Sequence, residues 1–184
     1  MNEGLISKRY AKAIYDHAFD MNEETLLYHR MQIFKTIWER MPDLRNSLKS
    51  PVVPVETKIR LLRTATGKYA EKSYYDFIEL IVANHRIESV FMIALSYQMI
   101  YRQKKKISVV HLVSAKRLPQ SALERIRRFT EQKTHGKVEF SNRIDSSIDG
   151  GFIYQLNDLR IDASIKGQLE RIKSRLAQIN KSII

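Results

Sequence analysis

The chain has 184 residues, 32 Lys and Arg against 20 Asp and Glu, and a formal net charge of +12. With 43% apolar residues it can bury a core, and with no cysteine it cannot build a disulfide framework, a thiolate metal site or a cysteine nucleophile. Its longest apolar runs are far short of the ~18 residues that a membrane span requires, and residues 1–10 lack the layout of a signal peptide.

In chain order, the first 105 residues predict helix after helix. Apolar residues at 6, 10, 13, 14 and 18 take the three-four spacing of a helix face over residues 6–20. Asn22 is a candidate cap for the next helix, whose stripe runs through Leu26, Leu27, Met31, Phe34, Trp38 and Met41. Pro42 opens a short third helix, and Pro51 and Pro54 impose a break before a fourth over residues 55–65. Gly67 is a candidate C-cap and Ser73 a candidate start for a fifth helix over 74–84, with a sixth over 89–101. Arg102-Gln-Lys-Lys-Lys106 then reads either as cations at a helix C-terminus running into a solvated linker or as a phosphate contact.

Beyond that run the period changes. Residues 107–113 are β-branched and read as a strand, 119–132 as a helix with Ala122, Ile126 and Phe129 on one face, and 138–140 as a strand. Residues 151–156 and 159–161 flank Asn157-Asp158, which suits a two-residue hairpin turn. A final helix from about residue 163 carries Ile165, Leu169, Ile172, Leu176, Ile179 and Ile183 at alternating spacings of four and three, fit for packing on the sheet or meeting another helix as a coiled coil. The expected fold is mainly α: a six-helix bundle over residues 1–105, then a small α/β domain over 106–184 with a short sheet and a long terminal helix.

Two helices carry more apolar surface than one buried face needs. On the first, Tyr10, Ala11, Ile14, Tyr15 and Ala18 belong to an arc covering more than half the wheel. On the fifth, Phe77, Leu80, Ile81 and Asn84 do the same. Either both helices are central, or the excess forms a groove for an amphipathic partner helix, with small Ala11 and Ala18 admitting a close backbone. The sixth helix is apolar nearly all round and reads as the centre of the bundle.

The search for catalysis finds no assembled site. Asp145, Ser147 and Asp149 with Gly150 open like a calcium loop, but the twelfth position is Leu156. The five histidines show no metal spacing, and Gly150-Gly151 is too short for a phosphate loop. The charge is spread, with +5 on residues 1–105 and +7 on 106–184, where a nucleic-acid domain concentrates it on one face with interleaved aromatics.

The residues Gly150-Gly151-Phe-Ile-Tyr-Gln-Leu-Asn157-Asp158-Leu-Arg-Ile-Asp162-Ala-Ser164-Ile-Lys-Gly-Gln-Leu169 resemble the signature of the delta subunit of F-type ATP synthases, whose mitochondrial counterpart is the oligomycin-sensitivity-conferring protein. Arg9-Tyr10-Ala11-Lys-Ala13 and Asn84-His-Arg86 are similar to two further family motifs, and Asn157 stands where glycine is frequent. The resemblance implies a peripheral-stalk stator with no catalytic residue and no cofactor or metal. The helical domain would hold the N-terminal helix of an alpha subunit between the first and fifth helices. The C-terminal domain would bind the C-terminal helices of the b subunits. Gly150, Gly151, Asp162, Ser164, Leu169, Ile172 and Leu176 mark the stalk contact and the fold signature. It also implies a single copy in a hetero-oligomer, peripheral on the cytoplasmic face of a bacterial membrane and serving proton-driven ATP synthesis. A basic helical nucleic-acid-binding or adaptor protein is the alternative.

Overall fold

The computed structural model describes residues 3–67 and 69–181, with side chains over 4–67 and 69–174. Ile183 lies outside the described residues, and so do the side chains of Leu176 and Ile179. The chain divides after Lys104 into two compact units.

The first unit holds α1 (Glu3–Asp20), α2 (Glu24–Arg40), α3 (Pro42–Lys49), α4 (Val55–Ala65), α5 (Lys72–Ala83) and α6 (Val90–Lys105), with a 3-10 turn at Ile87–Ser89. Pro42 takes the first position of α3, where its missing N–H is no loss. Asn22 does not cap α2. It adopts φ +56° just beyond α1, the Glu23 N–H reaches the Ala18 carbonyl at 2.8 Å and the Asn22 N–H reaches Phe19 at 3.0 Å, which is a Schellman motif closing α1. α5 ends the same way: His85 has φ +54°, and the N–H groups of Arg86 and His85 bond to Ile81 and Val82. Nor does Ser73 start α5. It lies in the first turn, and its N–H is capped by the carboxylate of Glu23, 2.8 Å away.

Leu27, Met31, Phe34, Leu48, Leu62, Phe77, Ile78, Ile81 and Ile93 form the interior of this unit. Tyr74 is sunk among them and donates to the Leu62 carbonyl at 2.8 Å; burial pushes its hydroxyl up to about 12. α6 is tied along α2 by polar anchors. Tyr97 Oη donates to the Glu24 carbonyl at 3.0 Å and Gln98 Nε2 to the Met31 carbonyl at 3.1 Å. Those bonds turn one side inward and leave Met92 and Met99 exposed, so α6 is not enclosed all round.

The second unit holds β1 (Ile107–Ser114), α7 (Gln120–Thr134), β2 (Lys137–Ile144), a 3-10 turn (Ser146–Ile148), β3 (Phe152–Leu156), β4 (Leu159–Asp162) and α8 (Ile165–Lys181). The sheet order is β2-β1-β3-β4. β1 and β2 run parallel through the α7 crossover; β1–β3 and β3–β4 are antiparallel. Asn157 takes φ +50° in the β3–β4 turn, and its side chain accepts the Val109 N–H at 2.9 Å. The Asn157 N–H donates in turn to the Val109 carbonyl at 2.9 Å, and the two bonds tie the hairpin to β1.

Candidate partner-binding surfaces

The nine residues singled out on α1 and α5 part into two groups. Ala11, Ile14, Tyr15, Ala18, Phe77 and Ile81 are buried inside the unit, where they hold α1 and α5 to their neighbours. Small Ser7, Ala11 and Ala18 on the inward side of α1 therefore admit helices of the same chain. Tyr10 and Leu80 are half-buried and Asn84 is exposed.

The open surface between these helices lies one step round the wheel. His17 Nε2 and Asp76 Oδ2 meet at 2.7 Å, and Lys72 Nζ reaches the same oxygen at 2.9 Å. Residues 6, 10 and 13 precede His17 at helical spacing on one flank of α1; residues 80 and 84 follow Asp76 on the facing flank of α5. Ile6, Tyr10 and Ala13 thus share the His17 side of α1, and Leu80 and Asn84 follow Asp76 along α5. Bonds from Lys72 and then His17 hold the Asp76 carboxyl below its ordinary value. Sequence reasoning missed this link because its ends are 59 residues apart.

The glycine-rich signature is a joint between β3 and α8. Gly150 and Gly151 have φ of +139° and +73°. A Cβ on Gly151 would collide with the Ala163 carbonyl, and one on Gly150 with the Ile165 side chain. The freed backbone bonds locally: Ile165 N–H to the Gly150 carbonyl at 3.1 Å, and Ala163 N–H to Phe152 at 2.9 Å. Ser164 caps α8, accepting the Gly167 N–H at 3.0 Å, and is itself aimed by Asp162, which accepts both its N–H and its hydroxyl. The Ser164 bonds hold the Asp162 carboxyl below its usual value. A Cβ at position 167 would meet that carboxylate, so glycine belongs there. Gly150, Gly151, Asp162 and Ser164 are thereby occupied with the fold itself. Ile165, Leu169 and Ile172, in contrast, stand about half exposed along one stripe of α8. The 145–149 segment uses its oxygens internally, since Asp145 accepts from the N–H and hydroxyl of Ser147.

No group of three or more His, Cys, Asp or Glu suited to a metal occurs among the described residues, and no described helix is long and apolar enough to cross a membrane.

The comparisons agree with one another. The family model "ATP synthase delta (OSCP) subunit" matches residues 6–176. The chain is 35% identical over 182 residues to the ATP synthase subunit delta of Phocaeicola vulgatus, covering 98% of both chains. It is 36% identical to that of Bacteroides thetaiotaomicron, covering all of both. Among solved structures, its fold is similar to a chain of the Toxoplasma gondii mitochondrial ATP synthase hexamer, with TM-score 0.73, 20% identity and coverage of 96% of this chain and 98% of that one.

Proposed function

We propose that this chain, which belongs to the ATP synthase delta (OSCP) subunit family and so to the peripheral stalk, is a stator that joins the top of the catalytic head to the membrane-anchored b subunits. Residues 1–105 cap the head and hold the N-terminal helix of an alpha subunit between α1 and α5. Residues 106–184 meet the C-terminal helices of the b subunits through the exposed stripe of α8, where Ile165, Leu169 and Ile172 continue the three-four spacing toward Leu176. The task is mechanical: the subunit resists torque while the rotor turns, and needs no catalytic group or cofactor of its own. It works as one copy in a hetero-oligomer on the cytoplasmic face of a bacterial membrane.

The observation that carries the head contact is that Ile6, Tyr10 and Leu80 stand only half-buried and Ala13 exposed, beside the buried Ala11, Ile14, Phe77 and Ile81. Such partly open apolar residues on two neighbouring helices suit an amphipathic helix. Titration of the full chain with a peptide of the cognate alpha-subunit N-terminus tests it. Saturable one-to-one binding with negative ΔCp, weakened by Leu80→Asp, is the expected result. Wild-type silence overturns the assignment, and steep salt-dependent binding of duplex DNA in its place would favour the nucleic-acid alternative.

A further inference from the structure

We infer that His17 is a positioning residue of the head contact: its bond to Asp76 sets α1 against α5, and the charge on its imidazole makes the chain hold an incoming apolar helix more tightly below neutral pH than above it. This deepens the stator reading and rests on it for the source of that helix.

Two polar links fix how the helices run. Glu23, just beyond α1, accepts the Ser73 N–H in the first turn of α5, and His17 Nε2 meets Asp76 Oδ2 at 2.7 Å. Going back from 23 to 17 on one side goes forward from 73 to 76 on the other, so α1 and α5 run antiparallel. The link stands next to the residues given to the head contact. Ala13 lies one turn before His17, and Leu80 one turn after Asp76.

Asp76 has two basic neighbours that do different work. Lys72 Nζ reaches Oδ2 at 2.9 Å from one turn earlier on the same helix, so its bond joins nothing across helices. His17 supplies a crossing bond. Its side chain is 44% exposed and that of Asp76 26%, so water competes for that bond and its strength decides how often it is made.

An imidazole changes charge between about pH 5 and 8. Neutral, it can give Asp76 an ordinary hydrogen bond; charged, it gives one roughly twice as strong. The surrounding charges favour the second. From α5 come Lys72, Asp76 and, further along, Glu79; from the turn comes Glu23, whose field reaches both Lys72 and Asp76. On α1 itself Asp16 and Asp20 flank His17. With the imidazole charged, His17 and Lys72 balance Asp76 and Glu23. A partner helix that rests on α1 and α5 at once prefers the linked arrangement, and a ligand shifts a population only through such a preference.

The test is calorimetric titration of the full chain with the cognate alpha-subunit N-terminal peptide at about pH 6 and about pH 8, at fixed ionic strength. Affinity is expected to be roughly threefold higher at the lower pH, the scale of an exposed ion pair. Binding should also take up protons, read as heats that vary with the ionisation enthalpy of the buffer. His17→Gln keeps a donor toward Asp76 but cannot change charge, so it should bind with that pH dependence and proton uptake removed. Asp76→Asn should do the same, and it stands in for His17→Gln if a thermal midpoint shows the latter misfolded. His29→Gln, whose ring meets Gln32 on α2, should keep the wild-type profile. The same pH dependence in wild type and His17→Gln would overturn the inference and leave the stator reading standing. Loss of binding by a folded His17→Gln at both pH values would make His17 a direct contact and overturn its positioning role. Silence of the wild-type chain at both overturns this inference and the stator reading together.

Discussion

Glu23, in the turn after α1, caps the N-terminus of α5 by accepting the Ser73 N–H across 50 residues of sequence. One carboxylate thereby locks a turn to a distant helix, and its partner helix carries no side-chain cap of its own. Glu23→Ala is expected to lower unfolding stability by about 1 kcal/mol, the usual worth of a cap, read as a lower urea midpoint at unchanged slope. Glu23→Gln keeps an acceptor and should lose less.

Acid should reveal the same bonds. Burial raises the Glu23 carboxyl, but the Ser73 bonds outweigh it, and Asp76 and Asp162 are lowered by their own donors. A carboxyl lowered on folding stabilises the native state above its unfolded value, and that stabilisation is lost as pH falls through the folded value. Stability should therefore decline from near 4.5 downward for Glu23 and from near 3.8 for the aspartates. Denaturant titrations between neutral pH and strong acid would record it, and the decline should be shallower in Asp76→Asn.

Gly151→Ala places a methyl on the Ala163 carbonyl at a backbone angle that L residues avoid. A loss of roughly 2–3 kcal/mol is expected from strain and overpacking together, measurable by calorimetric unfolding.

Left-handed backbone at His85, Lys106 and His135 works the other way. Non-glycine residues there cost roughly 1–2 kcal/mol. His135→Gly should raise stability by about 1 kcal/mol after the added flexibility of the unfolded chain is subtracted. A thermal midpoint no higher than wild type would contradict this.

Ala11 is fully buried. A charged residue there should unfold the helical unit, whereas Ala13→Glu on the open flank should keep the wild-type melting curve while losing the alpha-subunit peptide. Circular dichroism and calorimetry on the two variants separate core from contact.

Much of the fold was legible because the local signals agreed. Pro42, Pro54, Gly67 and Asn157 each behave as their backbone chemistry requires, and the change from helical to strand period falls close to the observed division. The binding surfaces were less legible. A wheel shows that α1 has two apolar flanks but not which one the same chain covers, so it leaves Ala11, Ile14 and Phe77 open to either a central or a groove position, and the fold buries them. Asn22 read as a start because asparagine suits both an N-cap and a left-handed C-terminal position. The links Glu23–Ser73 and His17–Asp76 depend on folding alone, and no spacing encodes them.

The capped root of α8 also sets how this unit carries load. Ser164, Asp162 and the Arg171 guanidinium, which donates to the Asp162 carbonyl at 2.6 Å, weld the helix to the end of β4. β4 is an edge strand held by β3 alone. A pull on α8 directed along β4 must shear the β3–β4 bonds together, while a pull across it peels them one after another. The root of α8 is therefore expected to be strong in one direction and weak in the perpendicular one, and single-molecule extension from the two ends of α8 would measure the anisotropy.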